Sequence, residues 1–131
     1  MPPVAHDGGG RGARRLAAFL AVAGTSHFVV PGFYDRIVPH RLPGPPRGWT
    51  LVSGACELGV AAAVALPRTR RLGASLAAVL FVAVFPANVQ MAVDYRHRSR
   101  PEFAGSIGRL PLQVPLVLWA LHVRRQARPP A

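Results

Sequence analysis

Residues 51–66, LVSGACELGVAAAVAL, form an apolar run that carries one charged residue, Glu57, near its middle. A carboxyl group in hydrocarbon costs roughly a few kcal/mol or more unless it is protonated, paired or turned toward a polar cavity. The fold must therefore hide this run from water and still give Glu57 a polar surrounding. The same block pattern recurs along the chain. Apolar residues make up 50%, mean hydropathy is +0.25, and uncharged stretches of Ala, Val and Leu alternate with joints where arginines crowd. A soluble helical protein instead spreads its apolar residues at a 3.6-residue period, with charge on the opposite face. The bilayer is the simpler solvent for this pattern, and the remaining polar residues must supply partners for Glu57.

Four spans are expected. Residues 1–12 have the Pro and Gly content of a disordered tail. The first span covers about residues 14–30. Its apolar part is shorter than the roughly 20 residues that cross a bilayer, so Arg14 and Arg15 are expected to snorkel at one end. With no small-residue cleavage site, this start reads as an uncleaved span and not as a signal peptide. Residues 33–48 read as a Pro- and Gly-rich loop with a short interfacial helix at 33–38, and Tyr34 and Trp49 fit an aromatic belt. The second span, 49–66, stops before Pro67 and the basic turn RTRR. In the third, about 72–93, Pro86 removes one helical hydrogen bond and frees the carbonyl of Val82. Residues 94–109 read as a charged loop. The last span covers about 110–123, and 124–131 form a basic tail.

Residues 13–123 thus make one membrane domain, an all-α, four-transmembrane-helix up-down bundle. Nine arginines lie in the two tails and the RTRR turn, against seven in the two opposite loops. By the positive-inside rule this places both termini in the cytoplasm of a multi-pass cell-membrane protein.

Composition excludes several functions. A net charge of +11 invites a nucleic-acid reading, but the arginines flank apolar runs and do not form one stripe with interleaved aromatics, so no nucleic-acid partner is expected. Anionic lipid headgroups are the better counter-charge. Cys56 is the sole cysteine, which excludes an intrachain disulfide, a dithiol pair and a cysteine zinc site. It faces about 100° from Glu57 and is expected to pack as a small apolar residue. His27 lacks a second inward histidine at its depth, so neither haem nor another metal is expected. One copy of four short spans offers no inverted repeat, which disfavours a transporter.

The segments GTSHFVVPGFYDRIVPHRLPGPPR, SGACELGVAAAVALPRTRRL, FPANVQMA and RLPLQVPLVLWA occur in that order between about residues 24 and 120. In this arrangement the chain resembles the DoxX-like family of small four-helix bacterial integral membrane proteins. The resemblance implies a link to quinone- or sulfur-related membrane redox complexes, with a quinone as candidate cofactor and a redox subunit as candidate partner beside the lipid bilayer. It also draws attention to His27, Pro31, Tyr34, Pro39, Gly54, Glu57, Pro86, Asn88, Arg109, Pro111 and Gln113. It transfers no catalytic role.

Read from the residues themselves, Gly54, Glu57 and Ala61 share one helical face, and the small neighbours let another helix approach the carboxylate. Asn88 shares its face with Val84 and Met91. Arg109 and Gln113, four apart, can both turn inward. His27, Tyr34, Glu57, Asn88, Arg109 and Gln113 are therefore the expected lining of a polar intramembrane pocket for a proton or a small ligand. The competing reading is a non-catalytic assembly or interaction protein in which Glu57 and Arg109 form a buried structural pair and Trp119 anchors the surface. Both readings require hydrocarbon around the spans. The protein should therefore sediment with membranes, resist a high-salt wash and be released by detergent; release by salt alone marks a peripheral basic protein.

Overall fold

A computed structural model describes residues 8–129, all of whose regular elements are helical. They are α1 (Gly8–Val29), α2 (Pro31–Asp35), α3 (Pro46–Ala65), α4 (Arg70–Ala83), α5 (Phe85–Tyr95) and α6 (Arg100–Gln126). Three stretches are long and apolar enough to cross a membrane: α3, α4 with α5 as Arg70–Tyr95, and α6. α1 is not among them. Arg11, Arg14 and Arg15 occupy its first turns and leave only its last two-thirds apolar.

The ends of the elements follow local chemistry. α3 opens with Pro46 in its first turn, where a missing N–H costs nothing, and closes just before Pro67. Its last carbonyls are taken up by the following turn. Arg70 donates from Nε to Val64 O and from Nη2 to Ala65 O, both at 3.1 Å, and Thr69 Oγ1 donates to Ala63 O at 2.8 Å. α6 opens at Ser99, whose backbone N–H and hydroxyl both donate to Glu102 Oε2, at 3.3 and 2.7 Å.

α1 lies along α3, α3 also contacts α4, and α6 runs beside α4 and α5 with a smaller contact to α1. The first turns of α1 and α4 meet the last turns of α3 and α6 in one core, where Ala13, Leu16, Val64, Ala74 and Val123 are buried. Alanines at 61, 74, 77, 78 and 120 keep these helices close. Outside the core the chain is apolar too: Val22, Leu72, Val79 and Val114 are each more than 60% exposed. Such a surface suits acyl chains far better than water.

Several expectations need correction. Helix α1 begins at Gly8, so residues 8–12 are helical and not tail; residues 1–7 lie outside the described residues. The charged stretch 94–109 is not a loop, because α5 runs to Tyr95 and α6 starts at Arg100, which makes Pro111 and Pro115 interior to a long helix that also includes Arg124 to Gln126 of the expected tail. The third span is broken at Val84, whose N–H is shared by the carbonyls of Leu80 and Val82, so the carbonyl freed by Pro86 is met locally. Cys56 is exposed and not packed, while Trp119 is half-buried, with its ring 5.9 Å from that of Phe19.

The closest helix approach in the small-residue core is at Gly73, where a Cβ would stand 2.6 Å from the backbone of both Ala63 and Val64. Gly73→Ala should cost about 1–3 kcal/mol, read as a fall in thermal midpoint in detergent. Gly59→Ala, on an open face of α3, should leave the midpoint unchanged or raise it by about 0.5–1 kcal/mol equivalent.

Candidate functional site

The candidate site begins where α1 and α3 touch backbone to backbone. A Cβ on Gly24 would lie 2.9 Å from Gly54 O and 3.1 Å from Glu57 Cβ, and one on Gly54 would lie 2.7 Å from His27 Cβ. Only glycine at both positions permits the crossing, and the crossing delivers His27, one turn on from Gly24, beside Glu57. His27 Nδ1 is 3.5 Å from Glu57 Oε2 and 2.8 Å from Ala23 O. A carbonyl only accepts, so Nδ1 carries a proton directed to Ala23, and Nε2 is left for other partners. Both side chains are buried, and Glu57 Oε2 has no hydrogen-bond partner.

Pro31 starts α2 directly after α1 and turns the chain back, which lays Tyr34 flat on His27. The rings are 3.7 Å apart and 17° from parallel. The Tyr34 hydroxyl is hydrogen-bonded to Ser26 Oγ, which fixes the stack from its outer edge.

These groups form one wall of a cavity of about 520 Å³. Ile37, Pro39 and Leu42 of the following loop cover it, and Trp49, Thr50 and Ser53 of α3 form its side. The break at Val84 turns Pro86, Ala87 and Asn88 onto the opposite wall, and Arg109 of α6 reaches it from there. The lining is mostly apolar with a few convergent polar groups, which is the make-up of a small-molecule site.

A family model described as "Domain of unknown function (DUF8561)" matches residues 16–124. The chain belongs to the DUF8561 family. No curated protein and no solved structure matches it. The match extends from the middle of α1 to the end of α6 and so contains every cavity residue of this DUF8561 domain.

Of the six residues expected to converge, His27, Tyr34, Glu57, Asn88 and Arg109 all line the cavity. Gln113 does not line it: it is buried elsewhere on α6, with Oε1 unpartnered. The expected Glu57–Arg109 pair does not form. Glu57 faces His27, while Arg109 is exposed, holds its guanidinium 5.5 Å from the centre of the Phe33 ring and directs Nη1 to Met91 Sδ at 3.7 Å.

Sequence reasoning missed the fastening of the DUF8561 loop. Thr50 and Ser53, seven and four residues before Glu57, share its helical face, a spacing that is visible in the sequence. Thr50 Oγ1 donates to Asp35 Oδ1 at 2.7 Å, Arg47 Nε donates to Asp35 Oδ2 at 2.9 Å, and Trp49 Nε1 donates to Pro43 O at 2.7 Å. The Thr50 hydroxyl, with Arg47 alongside, holds the Asp35 carboxyl below its ordinary value of 3.8. A carboxyl whose folded pKa is depressed stabilises the fold above the ordinary carboxylate range and stops doing so as pH falls through the folded value. Thr50→Val should therefore shift the acid-induced change in Trp49 fluorescence, followed in a Trp119→Phe background, to higher pH. Thr50→Ser should leave it in place.

Proposed function

We propose that this is a four-span, up-down membrane protein of DoxX-like character whose cavity holds a small, flat, hydrogen-bonding ligand, with a quinone headgroup in its reduced, hydroxyl-bearing quinol form as the leading candidate. The observation that carries this reading is Glu57: a buried carboxylate oxygen with no partner at the edge of a mostly apolar cavity. A buried acceptor left unsatisfied costs about 1–3 kcal/mol or more, and a ligand donor is the natural way to meet it. The stacked His27 and Tyr34 rings give a flat wall for a planar group, and Asn88 and Arg109 offer donors opposite. A quinone, when bound, supplies reversible two-electron and two-proton chemistry. The chain's part is to bind and orient it, with Glu57 Oε2 as the free acceptor for a ligand proton beside His27.

On this reading the protein is a small membrane subunit serving quinone- or sulfur-linked redox chemistry, with its termini in the cytoplasm. The competing reading is a non-catalytic assembly protein with a purely structural polar core. The Glu57–Arg109 pair expected with it is absent, with Arg109 turned to Phe33 and Met91, so such a core would rest on His27 and Glu57.

Glu57→Gln and Glu57→Leu separate the two readings when thermal midpoint and binding of a short-chain quinol under reducing conditions are measured together. The ligand reading expects Glu57→Gln to keep its midpoint while binding weakens about tenfold, equivalent to about 1.4 kcal/mol. Parallel collapse of stability in both variants, or unchanged binding, supports the structural core.

A further inference from the structure

We propose that the end of the molecule bearing the two termini is a docking face for anionic phospholipid headgroups. The inference rests on the membrane-spanning reading above but not on any ligand in the cavity. The charge is strongly segregated. Three arginines in the first turns of α1, three around the α3–α4 turn and three at the end of α6 lie at this end. The fold draws these segments together: a Cβ on Gly9 would lie 3.4 Å from Gln126, and Ala13, Val64, Ala74 and Val123 share one buried cluster.

No carboxylate lies at this end among the described residues; Asp7 falls outside them. Asp35, Asp94 and Glu102 are all at the opposite end, where they contact Arg47, His40 and Arg98. Among the described residues, the arginines of the terminal end therefore have no counter-charge there. Arg70 is used on the carbonyls that end α3, while Arg71 and Arg124 are half-buried and the exposed ones include Arg11, Arg68 and Arg125.

The surroundings identify the partner. Leu66, 58% exposed, precedes Arg68, and Leu72, 61% exposed, follows Arg71. Guanidinium groups directly beside exposed aliphatic side chains match the boundary between phosphate headgroups and acyl chains. A nucleic acid would instead require a polar approach surface with aromatic platforms, and none interleaves these arginines. Multiple arginines can each contact lipid phosphates, and their pull on the anionic leaflet orients this end toward it.

The test uses the full chain in nanodiscs of phosphatidylcholine alone and of phosphatidylcholine with phosphatidylglycerol in equal parts. The thermal midpoint should be higher in the anionic discs by about 5 °C, and the difference should shrink at high salt. The triple variant Arg11→Gln, Arg68→Gln, Arg125→Gln should lose most of that difference. The charge-matched variant Arg36→Gln, Arg41→Gln, Arg100→Gln, at the opposite end, should keep it. Equal loss in both variants, no lipid-dependent difference, or the same stabilisation from a short DNA duplex added to neutral discs would each overturn the proposal. Failure to enter neutral discs at all would overturn the membrane reading, and this inference with it.

Discussion

The contact between the backbones of Gly24 and Gly54 governs the rest of the site. Two helices that approach this closely exchange dispersion contacts along their backbones, and no side chain intervenes at the crossing. α1 and α3 run antiparallel, so His27 packs over Gly54 and Glu57 over Gly24, and each glycine makes room for the polar residue of the other helix. The 3.5 Å between them is thus a consequence of chain geometry and needs no strong ion pair to sustain it. Any larger residue at either glycine would push the helices apart and separate histidine from carboxylate before it disturbed anything else.

The solvent imposes a second constraint. α3, α4 with α5, and α6 can each cross hydrocarbon by length and composition, while α1, with arginines in its first turns, is not apolar enough to be counted with them. That shortfall is tolerable because α1 is held along its length by α3 and by a buried row of Ala13, Leu16, Ala17 and Leu20. Packing against neighbours replaces the hydropathy that the helix lacks on its own. The arginines at its start can remain in the headgroup layer while the apolar turns lie within the bundle.

Much of the architecture was legible because it depends on periodicity and composition. The apolar runs, the helix stop at Pro31, the RTRR turn and the inward face of Gly54, Glu57 and Ala61 all follow from spacing that a single helix imposes. What escaped depended on partners or on short-range competition. The stretch DYRHRSRPEFAGSIGR reads as loop from its charge and glycines, yet Ser99 and Glu102 form a helix start that outweighs them, and α6 gains ten residues. Pro86 was visible as a disturbance, but whether it bends a helix or breaks it depends on how the freed carbonyls are met, and here Val84 meets them. The partner of Glu57 could not be chosen by charge alone. Arg109 is the stronger cation, but its guanidinium is taken up by Phe33 and Met91, while the glycine crossing gives the position to His27.

Two buried side-chain oxygens among the described residues lack partners, Glu57 Oε2 and Gln113 Oε1, and their difference is informative. Gln113 lies between Pro111 and Pro115 on α6, away from the cavity. An unmet amide oxygen there is a neutral group and costs what a lost neutral hydrogen bond costs, about 1–3 kcal/mol. Glu57 opens on a cavity large enough for a ligand and stands beside a histidine that has already committed its Nδ1 proton to Ala23. A carboxylate in that position costs more to leave unmet than an amide does, because its charge must be solvated by something. Structure alone supplies Gln113 with no second role, whereas every neighbour of Glu57, from the stacked rings to the fastened loop, shapes a space in which a donor from outside the chain can meet it.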